Sequence, residues 1–318
     1  MFFLARNVQE GARQALRAIH RIANCGCRTH LEPMTKTLFS FGHGYSARAL
    51  AQRLIPQGWH IIGTTRSEEK MQQLVATGIE PVLFPSSDGL DALEQATHLL
   101  ISAGPDQNGD PVLTRLRDRI QALAPSLHWA GYLSTTGVYG DHQGGWVDEN
   151  AALTPSTRRG RLRTAAEAQW QSIPGLPLHI FRLAGIYGPG RGPFSKVKKG
   201  TARRLIKQGQ VFSRIHVDDI AQVLEASIAR PNPGAVYNVC DDDPAPPQDV
   251  IAYAAELLGM PAPPMVSYDE AELTPMARSF YAESKRVRND RIKTELGVRL
   301  KYPDYRVGLK ALSEAEKT

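Results

Sequence analysis

Short apolar runs alternate with amphipathic stretches along most of this chain. The runs have the length of buried strands, and they occupy Thr37–Phe41, Trp59–Thr64, Pro81–Phe84, His98–Ser102, Trp129–Ser134 and Leu178–Leu183. The stretches between them carry apolar residues at helical spacing, as Ala47, Leu50, Ala51 and Leu54 do after the first run. Strands separated by helices in this order form right-handed βαβ units. The pattern therefore predicts an α/β fold with a parallel sheet that helices cover on both faces.

The alternation weakens in the last third of the chain, where proline-rich stretches interrupt it at 244–247 and 261–264. We therefore expect a sheet domain over 35–185 that is completed by 212–240, and a smaller lobe built from 186–211 and 241–318. Residues 1–34 are set apart as a leader.

Composition places the chain among ordinary globular proteins. It has 318 residues, of which 42% are hydrophobic and 22% are charged, and this excludes wholesale disorder. No run approaches the roughly 18–20 apolar residues that cross a bilayer, so no membrane partner is expected. The three cysteines cannot make a disulfide framework, which favours a cytoplasmic protein. The sequence leaves open whether the chain forms a homodimer.

The net charge of +6 is concentrated at the amino-terminal end. Residues 1–36 carry +4, which leaves only +2 for the rest of the chain. A body so close to neutral argues against nucleic acid as a partner. Arg13, Arg17 and Arg21 share one helical face, so the leader can be a transit peptide, a surface helix or an extension upstream of Met34. Its cysteines and histidines lack the paired spacing of a zinc site, and no metal is expected.

Candidate chemistry begins at the turn after the first strand. The segment from Gly42 to Ala47 reads G-x-G-x-x-A between a strand and a helix. In this motif the first glycine permits the tight turn, the second lets the backbone approach a pyrophosphate, and the alanine lets the helix pack closely. The helix amino terminus adds amides and a positive dipole end. We predict a dinucleotide site whose contacts are Gly42, Gly44, Tyr45, Ser46 and Ala47.

The end of the second strand indicates which dinucleotide is bound. A carboxylate there would hold the ribose 2′-hydroxyl of NAD, but the strand ends without an acidic residue. Arg66 can pair with a 2′-phosphate instead, and Thr65 or Ser67 can donate a hydrogen bond to it. We therefore predict NADP as the cofactor, with NAD as the alternative.

Four further motifs follow in order, at Leu100–Pro105, Leu133–Gly140, Arg182–Arg191 and Arg214–Ile220. Together with the glycine motif they resemble the extended or atypical short-chain dehydrogenase/reductases, known broadly as the NAD-dependent epimerase/dehydratase family. The resemblance runs from about Thr35 to the end of the chain. It implies a Rossmann-type doubly wound parallel sheet with a smaller C-terminal substrate lobe.

The resemblance also implies roles for single residues. Thr135 stands where the family keeps a hydroxyl that hydrogen-bonds the reacting oxygen. The expected cofactor contacts are Ser102, Ala103 and Gly104 beneath the adenosine and ribose, and Gly185 beside the nicotinamide. The expected substrate contacts are Thr136, Arg191 and His216.

The chain departs from the family at its catalytic helix. The family motif is Y-G-x-x-K-x-x-x-E, and this chain has Arg159 at the tyrosine and Arg163 at the lysine, with Gly160 and Glu167 matching. Arg163 can still donate to ribose hydroxyls. Arg159 cannot transfer a proton, because a guanidinium with a pKa above about 12 stays charged. We therefore predict an altered active site in which Arg159 supplies charge.

Other groups are candidates for the missing proton transfer. Tyr139 follows Thr135 by one helical turn and is expected to reach the same cleft. Asp106, Asp110 and His216 are further alternatives, although Asp110 before Pro111 is also a helix cap.

A basic segment lies at the predicted border of the lobe, with Lys196, Lys198, Lys199, Arg203, Arg204 and Lys207. A cationic rim would suit an anionic substrate, and no aromatic residues interleave it as in a single-strand nucleic-acid groove. The sequence thus predicts an NAD(P)-binding, epimerase/dehydratase-like oxidoreductase that acts on a nucleotide sugar or another anionic small metabolite. The alternative is a catalytically silent NADP-binding sensor or regulatory protein.

Overall fold

The structure, a computed structural model, describes residues 36–86 and 90–317. The predicted leader, 1–34, therefore lies outside the described residues. The strands are β1 (Thr37–Phe41), β2 (His60–Thr65), β3 (Glu80–Leu83), β4 (His98–Ile101), β5 (Trp129–Thr135), β6 (Trp146–Val147), β7 (Leu178–Leu183), β8 (Gly185–Tyr187), β9 (Arg204–Ile206), β10 (Arg214–His216), β11 (Val236–Val239), β12 (Met265–Ser267) and β13 (Arg286–Val287).

Helices separate most of these strands. They are α1 (Tyr45–Leu54), α2 (Glu68–Val75), α3 (Leu113–Leu123), α4 (Arg158–Gln171), α5 (Phe194–Lys198), α6 (Val217–Ala229), α7 (Pro247–Leu257), α8 (Pro275–Phe280), α9 (Asp290–Thr294) and α10 (Tyr305–Ala315). Within the described ranges, none of them has the length and apolar character needed to span a bilayer.

The central element is a seven-stranded sheet in the order β11-β7-β5-β4-β1-β2-β3, and every pair in it is parallel. This confirms the predicted α/β class, and the six strands expected from the apolar runs are all present. The seventh strand, β11, was not singled out as a strand. Its sequence is VYNV, and the polar Asn238 interrupts the apolar run by which the other strands are recognised.

Alternate side chains of each sheet strand enter two separate cores. Leu38 and Ile61 face one core together with the apolar stripes of α1 and α6. Phe39 and Ile62 face the other core with the stripes of α3 and α4. Because successive strand residues point to opposite faces, a strand buried on both sides must be apolar throughout. The sheet is therefore doubly wound, as the sequence predicted.

A third, smaller core lies among the elements that follow β7. It contains Tyr187, Phe194, Val197, Val250, Tyr305 and Leu309, contributed by β8, α5, α7 and α10. Three two-stranded parallel ladders, β8–β10, β9–β12 and β6–β13, connect these late segments to one another and to the loop after β5.

A buried ion pair fastens α4 to the sheet. The Arg182 guanidinium on β7 lies 2.8 Å from the Glu167 carboxylate on α4, and the two side chains are 6% and 2% exposed. The Ser134 hydroxyl on β5 donates to the same carboxylate. Burial works against the charged guanidinium, but its bonds to Glu167 outweigh burial and raise the pKa of Arg182. The pair fixes the helix that carries the arginines of the altered motif.

Removing one partner of this pair should be costly. We expect Glu167→Ala to lower the free energy of unfolding by about 3–5 kcal/mol, because it leaves the Arg182 charge buried without a counter-ion. The measurement is urea unfolding followed by circular dichroism. Glu69→Ala, at an exposed glutamate of α2, is the control and should change it by less than about 0.5 kcal/mol. Equal losses in the two variants would contradict the assigned role.

Candidate functional site

The turn between β1 and α1 is shaped by its two glycines. Gly42 has a φ of 74°, and a Cβ on it would lie 2.8 Å from the backbone nitrogen of Ala103, so a side chain cannot fit there. A Cβ on Gly44 would meet only the Gly42 carbonyl oxygen, at 3.7 Å. The surface in front of Gly44 is therefore open to a ligand. The Gly42 amide donates to the Thr64 hydroxyl at 2.7 Å, which fixes the turn against β2.

The start of α1 faces this open surface. Helix geometry leaves the first-turn amides without acceptors inside the helix, and the helix dipole adds positive potential there. Ser46 and Ala47 are buried, and Ala47 is fully enclosed against the sheet, as the motif requires. A glycine with room in front of it and a helix amino terminus behind it fit a pyrophosphate.

His43, between the two glycines, is an unexpected feature of this turn. Its ring covers Gly63 of β2, where a Cβ would lie 2.8 Å from the ring carbon Cγ. The side chain is only 7% exposed, and neither ring nitrogen has a partner in the described part of the chain. Burial, with a contribution from Arg48, lowers the pKa of His43 to about 4. The turn therefore contains a neutral imidazole near pH 7.

The end of β2 carries the residues expected to select the cofactor. Arg66 is exposed, and among the described residues its side chain has no hydrogen bond or ion pair. Ser67 caps α2 by accepting from the Lys70 amide at 3.5 Å, and Thr65 accepts from the Ser67 amide at 3.4 Å. Arg66 is free for a ligand, whereas the Ser67 oxygen already has a role in the helix cap.

Arg163 bridges the carboxyl ends of two sheet strands. Its guanidinium donates to the Leu133 carbonyl on β5 at 2.7 Å and to the Tyr132 hydroxyl at 3.2 Å. A Cβ on Gly104, after β4, would lie 2.9 Å from the same guanidinium. Arg163 therefore lies beside the segment Ser102–Gly104, whose backbone is held to β1 by bonds from Ser102 and Ala103 to the Phe41 carbonyl.

Thr135 ends β5 next to the start of α4. Its hydroxyl accepts from the Gly137 amide at 3.2 Å, and both Thr135 and Thr136 are partly exposed. A Cβ on Gly160 would lie 2.6 Å from the Gly137 carbonyl oxygen, so glycine allows the helix to touch this turn. Thr157 caps the helix by accepting from the Gly160 amide at 3.1 Å. The structure thus brings Thr135 and the altered motif together.

Two further arginines belong to this edge of the sheet. Arg159 is one turn before Arg163, and side chains four residues apart share a helix face. Arg159 is exposed, but the protein around it displaces part of its hydration, and this desolvation lowers its pKa. The charges of Arg163 and Arg191 lower the pKa further. Arg191 lies over the Tyr45 ring at 5.6 Å, and the Tyr45 hydroxyl donates to the Pro189 carbonyl at 3.0 Å. The result is a cationic cleft.

The structure does not place Tyr139 in this cleft, and the sequence-based expectation for it needs correction. Tyr139 is fully buried, and its hydroxyl donates to Asn238 at 2.7 Å while it accepts from Arg182 at 3.0 Å. Burial raises the pKa of Tyr139 to about 12. The residue is part of the polar network around the buried ion pair, and we no longer consider it for proton transfer.

Two of the other proton-transfer alternatives have structural roles, whereas Asp106 is exposed and accepts from the Asn108 amide at 2.7 Å. Asp110 is buried, accepts from the Val112 and Leu113 amides at 3.0 and 3.1 Å, and accepts from the Trp170 indole at 3.0 Å. His216 is buried and caps α6 by accepting from the Asp218 amide at 3.1 Å. Burial lowers the pKa of His216 to about 4. Neither side chain is exposed to the cleft.

The basic segment after Gly185 is only partly available to a ligand. Gly185 itself is exposed and pairs with Ser213 through its amide. Lys198 pairs with Glu316, Arg203 and Arg204 donate to nearby carbonyls, and Lys207 donates to the Tyr281 carbonyl. Intramolecular bonds therefore occupy much of the predicted cationic rim. Within the described part of the chain, Arg159 and Arg191 make no hydrogen bond or ion pair, although Arg191 lies over the Tyr45 ring.

His43 is a residue of this site that the glycine motif does not single out. Its signal was present in the sequence, because a large residue between the motif glycines needs a small one opposite, and Gly63 on β2 supplies that space.

Comparison with known proteins identifies relatives over most of this chain. No family model matches it. A conserved protein of unknown function from Silicibacter pomeroyi is 65% identical, over 89% of this chain and 100% of that protein, with a TM-score of 0.85. The protein YeeZ of Escherichia coli K12 is 29% identical over 277 residues, which cover 83% of this chain and 95% of YeeZ.

Solved structures of lower identity share the fold. The dTDP-glucose 4,6-dehydratase of Bacillus anthracis, in complex with NAD, is 16% identical over 89% of this chain and 97% of its own, with a TM-score of 0.73. A human epimerase family protein with NADPH is 17% identical over 87% of this chain and 99% of its own, with a TM-score of 0.69. The fold is therefore Rossmann-like, as in NAD(P)-binding epimerases.

The buried imidazole in the glycine turn should make stability depend on pH. In the unfolded chain a histidine titrates near 6.5, whereas His43 in the folded state titrates at about 4. Between these values only the unfolded state takes up the proton, so the free energy of unfolding falls as pH drops from 6.5 to 4. The slope per histidine is at most about 1.4 kcal/mol per pH unit.

The measurement is urea unfolding at several pH values in the wild type and in His43→Asn. His98 and His216 add slope in the same direction, because burial lowers the pKa of each to about 4. The variant should therefore have a shallower slope that is still not zero. An unchanged slope in His43→Asn would contradict a neutral, buried His43.

Proposed function

We propose that this chain, which belongs to one family with the conserved Silicibacter pomeroyi protein, is an NADP(H)-dependent oxidoreductase of the epimerase/dehydratase type that acts on an anionic small metabolite. The observation that carries the proposal is the arrangement at the carboxyl edge of the sheet. This edge contains the open turn at Gly44, the Thr135 hydroxyl at the end of β5, and the exposed side chains of Arg159 and Arg191. In open α/β sheets this edge is where ligands bind.

The residues present fit a nicotinamide dinucleotide. The amides of the α1 start would bind the pyrophosphate in front of Gly44, and Arg66 would bind a 2′-phosphate. Arg163, fixed by Leu133, would donate to ribose hydroxyls. When bound, such a cofactor supplies a hydride donor or acceptor. Solved structures of this fold that contain NAD or NADPH support this choice.

On the substrate side, Thr135 would donate a hydrogen bond to the reacting oxygen. Arg159 would stabilise negative charge at that oxygen or on a nearby group, because a guanidinium remains protonated near pH 7. The open cleft gives water access to the same place, and we propose that the proton is exchanged with water there. Anionic substrates suit this site, since no carboxylate of the described residues pairs with Arg159 or Arg191.

The replaced tyrosine favours a second candidate. Because Arg159 cannot deprotonate and Tyr139 is buried, the chain can instead be a catalytically silent NADP-binding sensor. Such a protein needs the same glycine turn and the same Arg66, so cofactor binding does not distinguish the two candidates. Turnover distinguishes them.

Cofactor preference tests the first half of the proposal. We expect NADP to bind more tightly than NAD, and Arg66→Ala to weaken NADP binding roughly tenfold to a hundredfold with little effect on NAD. The basis is that a charge-assisted hydrogen bond contributes about 1.5–3 kcal/mol. Calorimetric titration measures both affinities. Lys70→Ala removes an equal charge from α2 and should leave the preference intact. Equal affinities for the two cofactors in the wild type would refute the assignment.

Turnover in Thr135→Val tests the second half. The substitution keeps the side-chain shape and removes the hydroxyl, so an enzyme should lose at least about tenfold in kcat, equivalent to roughly 1.4 kcal/mol. NADP affinity should stay within about a factor of two, because the hydroxyl contacts the Gly137 amide and not the glycine turn. The assay follows nicotinamide absorbance over a panel of anionic carbonyl and hydroxyl compounds. Tight NADP binding without turnover on any of them would favour the sensor.

A further inference from the structure

Arg159 and Arg191 differ from the arginines around them. Arg158 donates to Gln107 at 3.2 Å, Arg161 donates to the Ser156 carbonyl at 2.6 Å, and Arg163 is bonded to Leu133. By contrast, the side chains of Arg159 and Arg191 have no hydrogen bond or ion pair within 36–86 and 90–317, and both are exposed. Two guanidinium groups at one edge of the sheet are therefore available to a ligand.

The placement of Arg159 is electrostatically unfavourable for the protein alone. The first turn of α4 contains no acidic residue, although negative side chains are the ones favoured at a helix amino terminus. Desolvation by the surrounding protein lowers the pKa of Arg159, and the like charges of Arg163 and Arg191 lower it further. An arrangement of this kind costs stability until an anion binds beside it. Removal of the Arg159 charge should therefore stabilise the protein in the absence of an anion, whereas most substitutions destabilise a protein.

The geometry also limits how far the anion lies from the reacting atoms. Arg159 shares a helix face with Arg163, which contacts the end of β5, and Gly160 lies against the turn that follows Thr135. A group bound by Arg159 is therefore close to an oxygen bound by Thr135. The carboxylate of a 2-oxo or 2-hydroxy acid is one bond from the reacting carbon, whereas the diphosphate of a nucleotide sugar is several bonds away from it.

We infer that Arg159 and Arg191 bind a carboxylate carried next to the reacting carbon, so that the substrate is a small oxo or hydroxy carboxylic acid. The inference rests on the proposed function, since it places this carboxylate in the same cleft as the cofactor. A guanidinium binds a carboxylate with two parallel hydrogen bonds and can bind a phosphate in the same way, so the position of the anion next to the reacting carbon is what distinguishes the two substrate classes. Arg159 acts here as the residue that determines substrate class.

The test uses the full chain with saturating NADP, whose binding is first measured by calorimetry. The probes are oxalate, glyoxylate, 2-oxoglutarate, inorganic phosphate and UDP-glucose. We expect the carboxylates to raise Tm and to bind measurably, and Arg159→Gln to weaken their binding roughly tenfold to a hundredfold. Arg158→Gln, which removes the same charge one residue away, should keep both effects. Arg159→Lys should give intermediate affinity, because it keeps the charge and loses the paired hydrogen bonds.

A second readout separates a lost binding site from a damaged fold. Without probes, Arg159→Gln should melt at or above the wild-type temperature, because it relieves repulsion at the start of α4. A lower Tm in that variant would overturn the inferred strain and with it the inference. Carboxylate binding that survives in Arg159→Gln, or an Arg159-dependent response to UDP-glucose alone, would overturn the substrate class and leave the proposed function standing. Absence of NADP binding in the calorimetry would overturn the proposed function itself.

Discussion

The buried ion pair between Glu167 and Arg182 is the constraint on which the candidate site depends. It joins α4 to β7, and Ser134 connects the same carboxylate to β5. A charge buried without its partner would be strongly unfavourable, so the helix has one position on the sheet that satisfies both groups. That position sets the helix start against the turn after Thr135. The arginines of the altered motif are thereby held at the carboxyl edge of the sheet.

The site differs from a proton-transfer site in its electrostatics. A tyrosine beside a lysine can exchange a proton because its pKa can be lowered towards neutrality, whereas Arg159 stays charged. Two of the proton-transfer alternatives, Tyr139 and Asp110, are buried outside the cleft. Tyr139 serves the buried network and Asp110 caps a helix, so each has its polar atoms satisfied within the fold. The cleft contains the fixed positive charges of Arg159 and Arg191, and a guanidinium does not exchange its proton near pH 7.

Close packing excludes a side chain at two positions around the glycine turn. Gly42 must lack a side chain because the backbone after β4 passes beneath it, and Gly63 must lack one because His43 lies over it. These two contacts hold the ends of β1, β2 and β4 together around the helix start. The open surface left at Gly44 is the consequence. Because its pKa is lowered to about 4, the His43 imidazole adds bulk at this place without adding a charge near pH 7.

The sequence by itself determined the α/β class, six of the sheet strands and the position of the glycine turn, because apolar periodicity and local turn chemistry are encoded by neighbouring residues. It also located Arg159 and Arg163 on the helix that ends up beside Thr135. Only the tertiary structure decided which polar side chains are free. Whether Tyr139 faces a cleft or bonds to Asn238, nearly a hundred residues away, depends on long-range packing that no local pattern records. The same is true of Arg159, which has no acidic partner among residues 36–86 and 90–317.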